Sequence, residues 1–295
     1  MSSIDIFIST AQSLKKRYWS LIKSRQTFML TLTGAAGYLS QRPATMDWLR
    51  FAGMLGSLLL TIGGCTVVNM VFDRDIDQKM MRTRQRPLVT NQINVRAVAW
   101  LGSGLILVGL LWSLALSLPY FALALAGVGL DLLVYTIWLK RRSAWSILWG
   151  GLSGGIPILA SRALVIGRVD PIGILLALAI VCWIPSHNLT LSMLYSDDYL
   201  NASIPTFLNV YGLTATRAMV AFSSLVSVTL MGAAFVRLAL FLPVIAILAA
   251  GSLGLVGMAL YVWARFSRQA VSVLYKYSSF YMLAAMVLLL LAVFK

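Results

Sequence analysis

Asn69, Asp73 and Asp77 stand four residues apart in the stretch NMVFDRDIDQKMMRTRQRP, directly behind a run of mostly apolar residues. On an α-helix each step of four turns by only about 40°, so the three side chains project from one face over roughly 12 Å. Two carboxylates and an amide in a line are hard oxygen donors. They suit Mg²⁺, which keeps some of its waters and shares phosphate oxygens. A solvated helix end, with its aspartates paired to nearby arginines, accounts for the same pattern. Asp75 points the other way and reads as structural.

A second acidic stretch, YSDDYLNASIP, places Asp197 and Asn201 at i and i+4 with Asp198 beside them. Two acidic sites from different helices match a two-sided clamp for a diphosphate held through Mg²⁺. Such a clamp needs cations for the leaving group. They follow in Arg82, Arg84 and Arg86 and again in Lys140, Arg141 and Arg142. Anchoring of loops on the cytoplasmic side accounts equally well for any one of these basic residues.

The elements that must position these groups are membrane helices. The chain has 295 residues, 60% of them hydrophobic, and a mean hydropathy of +0.86. A water-soluble fold cannot hide that fraction. Nine candidate spans cover 22–41, 48–72, 97–117, 120–139, 144–162, 172–194, 214–236, 240–263 and 275–294. All nine read as helices, because lipid offers the backbone of a single segment no other partner. The expectation is an all-α polytopic membrane protein whose residues 1–295 form one domain, with 1–20 a cytoplasmic N-terminal segment.

The charges orient it. With the N-terminus inside, 18 lysines and arginines fall on the inner side and 6 on the outer. Both acidic stretches then lie on the cytoplasmic side. The net charge of +15 is explained by these loops, and no nucleic-acid partner is implied. Cys65 and Cys182 both fall inside apolar spans, which argues against a disulfide scaffold. All nine acidic residues are aspartates. Asp131 lies within the fourth span, where an ionisable group is costly and faces a cavity or a partner. Trp138, Trp145 and Trp149 read as an interfacial belt.

The spacing N-x₃-D-x₃-D, with an Asp-rich segment after the sixth span, resembles the UbiA superfamily of intramembrane prenyltransferases. Within it the chain is most similar to the heme O synthase (protoheme IX farnesyltransferase) branch. The similarity rests on NMVFDRDIDQKMMRTRQRPL, YTIWLKRRSAWSILWGGLSGGIP and WIPSHNLTLSMLYSDDYLNASIP, with weaker echoes in LIKSRQTFMLTLTGAAGYL and LYKYSSFYM. It implies nine helices around a central cavity in the cell (inner) membrane, capped by cytoplasmic loops. It also implies transfer of farnesyl from farnesyl diphosphate to a vinyl group of heme b with addition of water.

By that resemblance Asn69, Asp73 and Asp77 form the first Mg²⁺-diphosphate motif. Asp197, Asp198 and Asn201 stand at the second, and Arg82, Arg86, Lys140 and Arg141 hold phosphate oxygens. His187, the chain's one histidine, reads from its type alone as a packing residue. The resemblance assigns it a contact with heme, although the family's Pro-His-Phe is here Ser186-His187-Asn188. A heme A synthase or a terminal oxidase is the implied pathway neighbour.

Two other classes compete. A prenyltransferase with an aromatic or lipid acceptor fits the changed Ser-His-Asn segment. A transporter or cation channel would use the aspartates as an ion site, but transporters usually place such sites near the midplane and not at one face. The D-x₂-D-G-x₂-A-R block of membrane phosphotransferases is absent.

Overall fold

The computed structural model describes residues 21, 24–43 and 45–291. Lys15, Lys16, Arg17, Lys23 and Lys295, and the whole segment 1–20, lie outside the described residues. In chain order the helices are α1 (Ser24–Leu39), α2 (Trp48–Phe72), α3 (Arg74–Lys79), α4 (Val95–Leu116) and α5 (Leu118–Val128). A π-helical segment, Gly129–Leu139, continues α5. Then come α6 (Ser146–Ile166), α7 (Pro171–Leu194), α8 (Ser196–Asn201), α9 (Phe207–Arg237), α10 (Leu242–Ala264) and α11 (Arg268–Leu291).

Among the described residues eight helices are long and apolar enough to cross a membrane, counting α5 with its π continuation as one. The 16-residue α1 takes the place of the expected first span. The long helices pack each against the next, and α11 returns to α1, which closes the ring. Large apolar side chains such as Leu49, Trp100, Phe222 and Leu253 face outward. Lipid accepts such a surface, whereas water would drive it to associate.

Local chemistry sets the helix ends. The side chains of Asp47, Asn94, Asp170 and Thr206 accept from backbone N–H groups in the first turns of α2, α4, α7 and α9, the usual N-cap arrangement. Helices α4 and α5 are separated by Ser117 alone, tighter than the expected SLPY turn, and Pro119 falls where α5 has no N–H to lose. Helix α9 begins at Phe207, seven residues before the expected start, and bends at Gly212, whose φ of +80° favours glycine. Helix α2 approaches α4 closely at Gly64, where a Cβ would stand 2.7 Å from the Gly102 carbonyl oxygen.

One expectation is corrected. The span 120–139 is α-helical only to Val128 and π-helical from Gly129. The Lys140 N–H returns to the Tyr135 carbonyl, five residues back, at 2.9 Å. In that register residues five apart share a face, so Asp131 lines up with Thr136 and Tyr135 with Lys140. Polar contacts from Thr136 and Lys140 to α2 accompany the wider turn. Hydrophobic periodicity does not report it, because most positions of the segment are apolar in either register.

At the opposite end of the bundle from the acidic stretches, Arg162 of α6 is buried. It donates to both Asp170 carboxylate oxygens, at 2.7 and 2.9 Å, and to Ser40 Oγ at 2.8 Å. This clasp ties the ends of α1 and α6 to the start of α7.

Candidate active site

Helix α2 ends at Asp73, yet its line of side chains continues. The Asp73 N–H still donates to the Asn69 carbonyl at 2.9 Å, and the Asp77 N–H donates to the Asp73 carbonyl at 2.8 Å. One turn therefore carries across the junction between α2 and α3. Asn69, Asp73 and Asp77 stay on the protein side and are all buried. Asp75 is exposed on the other side, where both carboxylate oxygens accept from Arg141 at 2.7 Å.

Each buried carboxylate meets a cation. Lys140 Nζ donates to Asp73 Oδ2 at 2.5 Å, and Arg86 Nη1 donates to Asp77 Oδ2 at 2.5 Å. Burial disfavours the charged form of Lys140, but Tyr135 and Asp73 beside it outweigh that and hold its pKa above the ordinary lysine value. The Lys140 ammonium also lies 5.6 Å from the centre of the Tyr135 ring. A cavity of about 100 Å³ opens here, lined among others by Tyr135, Lys140, Asn188 and Tyr199.

The two acidic stretches meet. Asp198 is buried, and its carboxylate accepts from the backbone N–H groups of Met81 at 3.0 Å and Arg82 at 3.3 Å. Beneath it Ile76, Met80, Ala202 and Ile204 form a small apolar cluster, with Tyr199 packed against it. Arg82 lies over the Tyr195 ring at 5.4 Å. Arg74 donates to the Leu88 carbonyl at 3.0 Å and to Asn91 Oδ1. The basic loop 80–94 is thus fastened from both sides above the buried aspartates.

The expected site residues divide accordingly. Asn69, Asp73, Asp77, Arg86 and Lys140 form one group, and Asp198 supports the loop over it. Asp197 and Asn201 are exposed. Arg141 spends its fork on Asp75 and on the Phe72 carbonyl at 2.7 Å. His187 stands in α7, stacked between Trp183 and Tyr275 with ring centres 4.8 and 4.6 Å away, and its Nδ1 is 3.3 Å from Ser279 Oγ. Trp138, Trp145 and Trp149 are exposed, as a belt requires. Sequence reasoning missed Tyr135 and Thr136, which carry no signal until the π turn is known, and Tyr199, which reaches the cavity from α8.

Residues 29–287 match the model of the UbiA prenyltransferase family. The chain belongs to the UbiA prenyltransferase family. It is an integral membrane protein, as that membership and its apolar helices require. Among curated UbiA-type relatives, the protoheme IX farnesyltransferase of Korarchaeum cryptofilum is 36% identical over 211 residues, covering 71% of each chain. That of Thermofilum pendens is 39% identical over 196 residues, covering 65% of this chain and 68% of its own. A UbiA homolog from Archaeoglobus fulgidus, solved bound to DMAPP and Mg²⁺, superposes with a TM-score of 0.71 at 14% identity, covering 92% of this chain and 99% of that one. That last likeness establishes the shared fold.

Proposed function

We propose that this UbiA-family member transfers the farnesyl group of farnesyl diphosphate to a vinyl group of heme b, with addition of water, giving heme O and diphosphate. The observation that carries the reading is the pair of buried carboxylate–cation contacts, Asp73 with Lys140 and Asp77 with Arg86. Carboxylates for a metal and cations for an anion stand there in one group. Curated relatives 36–39% identical and named protoheme IX farnesyltransferase support the choice of substrates.

The donor set fits Mg²⁺. Asp73 and Asp77 offer hard oxygens one helical turn apart. Among the described residues no three acidic, cysteine or histidine side chains converge into an all-protein cage. That arrangement leaves further positions to phosphate oxygens and water, the usual habit of Mg²⁺ at phosphates. When bound, the metal neutralises the diphosphate and stabilises charge developing on its leaving oxygen.

The chain's own residues do the rest. Asp73 and Asp77 hold the metal, while Lys140 and Arg86 exchange their carboxylate partners for phosphate oxygens. Arg82, in the same loop, adds a further cation for the diphosphate, and Asp198 keeps that loop in place. Asp197 and Asn201 form the outer rim of the second motif, and Arg141 steadies the junction through Asp75. The allylic carbon–oxygen bond breaks and its electron pair leaves with diphosphate. The allylic carbon then bonds to the terminal vinyl carbon, and a water oxygen bonds to the other vinyl carbon and gives up a proton. Apolar helices shield the cation until the vinyl group reacts. Heme b is placed against α7, with His187 as its contact. Positive-inside counting puts this end of the bundle, in the inner membrane, toward the cytoplasm.

The test is direct. Purified protein with heme b, farnesyl diphosphate and Mg²⁺ should yield a porphyrin heavier by one farnesyl group and one water by mass spectrometry, and none after chelation. His187→Ala should weaken use of heme b while leaving diphosphate binding intact. Unmodified heme, with Mg²⁺-dependent diphosphate release only on an aromatic or lipid acceptor, would replace the heme assignment by that second reading.

A further inference from the structure

Trp183 and His187 stand one turn apart on α7, and Tyr275, Ser278 and Ser279 share one face of α11. The two sets interlock. The Trp183 indole N–H donates to the Ser278 carbonyl at 3.0 Å. The imidazole of His187 lies between the Trp183 and Tyr275 rings, tilted from them by only 20° and 22°. Both of its faces are therefore covered, and only its edge is open to a ligand.

That edge carries two nitrogens, and Ser279 decides between them. The Ser279 hydroxyl has one proton, which goes to the Tyr275 carbonyl at 2.9 Å. Its oxygen is then an acceptor toward His187 Nδ1, 3.3 Å away, so Nδ1 carries a ring proton. Inside a membrane helix, with no carboxylate against it among the described residues, the imidazole is neutral. A neutral imidazole has a single N–H, which leaves the lone pair on Nε2. Among the described residues nothing hydrogen-bonds to that nitrogen. One ring nitrogen held by a fixed oxygen, with the other offering its pair in the ring plane, is the arrangement of a metal ligand. A porphyrin cannot stack on a ring covered on both faces, and a propionate would meet a lone pair at Nε2. We infer that Ser279 is a positioning residue, which holds His187 with Nε2 presented to the iron of heme b. The inference rests on the function proposed above, and it names the atom that meets heme and the group that orients it.

Resonance Raman spectroscopy of ferrous heme b added to the full chain in detergent, without farnesyl diphosphate, tests it, with heme affinity followed by the Soret band. Wild type should show an iron–histidine stretching band, and His187→Ala should lose it. Ser279→Ala should keep the band at a lower frequency, because Nδ1 loses its acceptor and Nε2 becomes a poorer ligand. The same variant should raise the dissociation constant for heme b about tenfold, as loss of an orienting partner behind a metal ligand does. Ser279→Thr, which keeps the hydroxyl, should return both readings to wild type. A weaker affinity in Ser279→Ala with an unmoved band would make Ser279 a packing residue and overturn the inference. So would heme bound by wild type with no iron–histidine band. Wild-type protein that bound no heme b would instead overturn the acceptor assignment on which the inference rests.

Discussion

Lys140 Nζ lies 2.5 Å from Asp73 Oδ2, although 67 residues separate them in the chain. Both partners are largely buried, with side-chain exposures of 17% and 8%. Removing one member of such a pair strands the other charge, at a cost of about 3–5 kcal/mol. The contact therefore bears on stability as well as on the proposed chemistry.

Asp73→Asn and Asp77→Asn keep the side-chain volume and remove the charge. Each should abolish turnover while the protein still elutes as a single species in detergent. Near-wild-type activity in either would remove the metal assignment. Asp75→Asn should retain most activity, since its partner Arg141 lies with it on the exposed side.

Each carboxylate already holds a cation, so Mg²⁺ alone must displace Lys140 and Arg86. Metal and diphosphate should therefore bind cooperatively. Titration should show Mg²⁺ binding at least about tenfold tighter with pyrophosphate present, a coupling of typical size. Lys140→Met should tighten Mg²⁺ binding in the absence of pyrophosphate and weaken pyrophosphate binding. Independent binding of the two in wild-type protein would refute the exchange of partners.

Asp198 acts on the loop through backbone N–H groups. Asp198→Ala should speed proteolytic cleavage after Arg82, Arg84 or Arg86 and raise the KM for farnesyl diphosphate. The exposed Asp197, changed to Ala, should leave the cleavage rate unchanged. Equal cleavage in the two variants would show that the observed contacts do not hold the loop.

The Arg162–Asp170 clasp makes a pH prediction. Burial opposes the Asp170 carboxylate, but its bonds from Arg162 outweigh that and hold its pKa below the usual value. A depressed carboxylate pKa gives stability that is complete above the unfolded value of about 4 and is lost as pH falls through the folded value. The wild-type unfolding midpoint should drop on acidification below about pH 4. Asp170→Asn should lower the midpoint at neutral pH and flatten that acid slope; an unchanged slope would assign it elsewhere.

Much of this was legible in one dimension. The line Asn69, Asp73, Asp77 survived a helix break because one turn of backbone bonding bridges it. The outward aim of Asp75 followed from the same geometry. What could not be read was the choice of partner among many basic residues. Arg86 and Lys140 face the carboxylates, Arg141 turns to Asp75, and Arg82 lies over Tyr195, although all four look alike in the sequence.

The sequence by itself determined a set of apolar membrane helices and put both acidic stretches at helix ends, because lipid leaves a segment's backbone no other partner and excludes unpaired charge. Tertiary structure alone decided the π register of 129–139, the contact of Thr136 with Asn69, and the duty of Asp198 as a fastening for the loop 80–94. The physical reason is that these depend on contacts between residues far apart in the chain. Hydrophobic periodicity reports which segments enter the membrane. It does not report how a helix rotates to satisfy the polar groups of its neighbour.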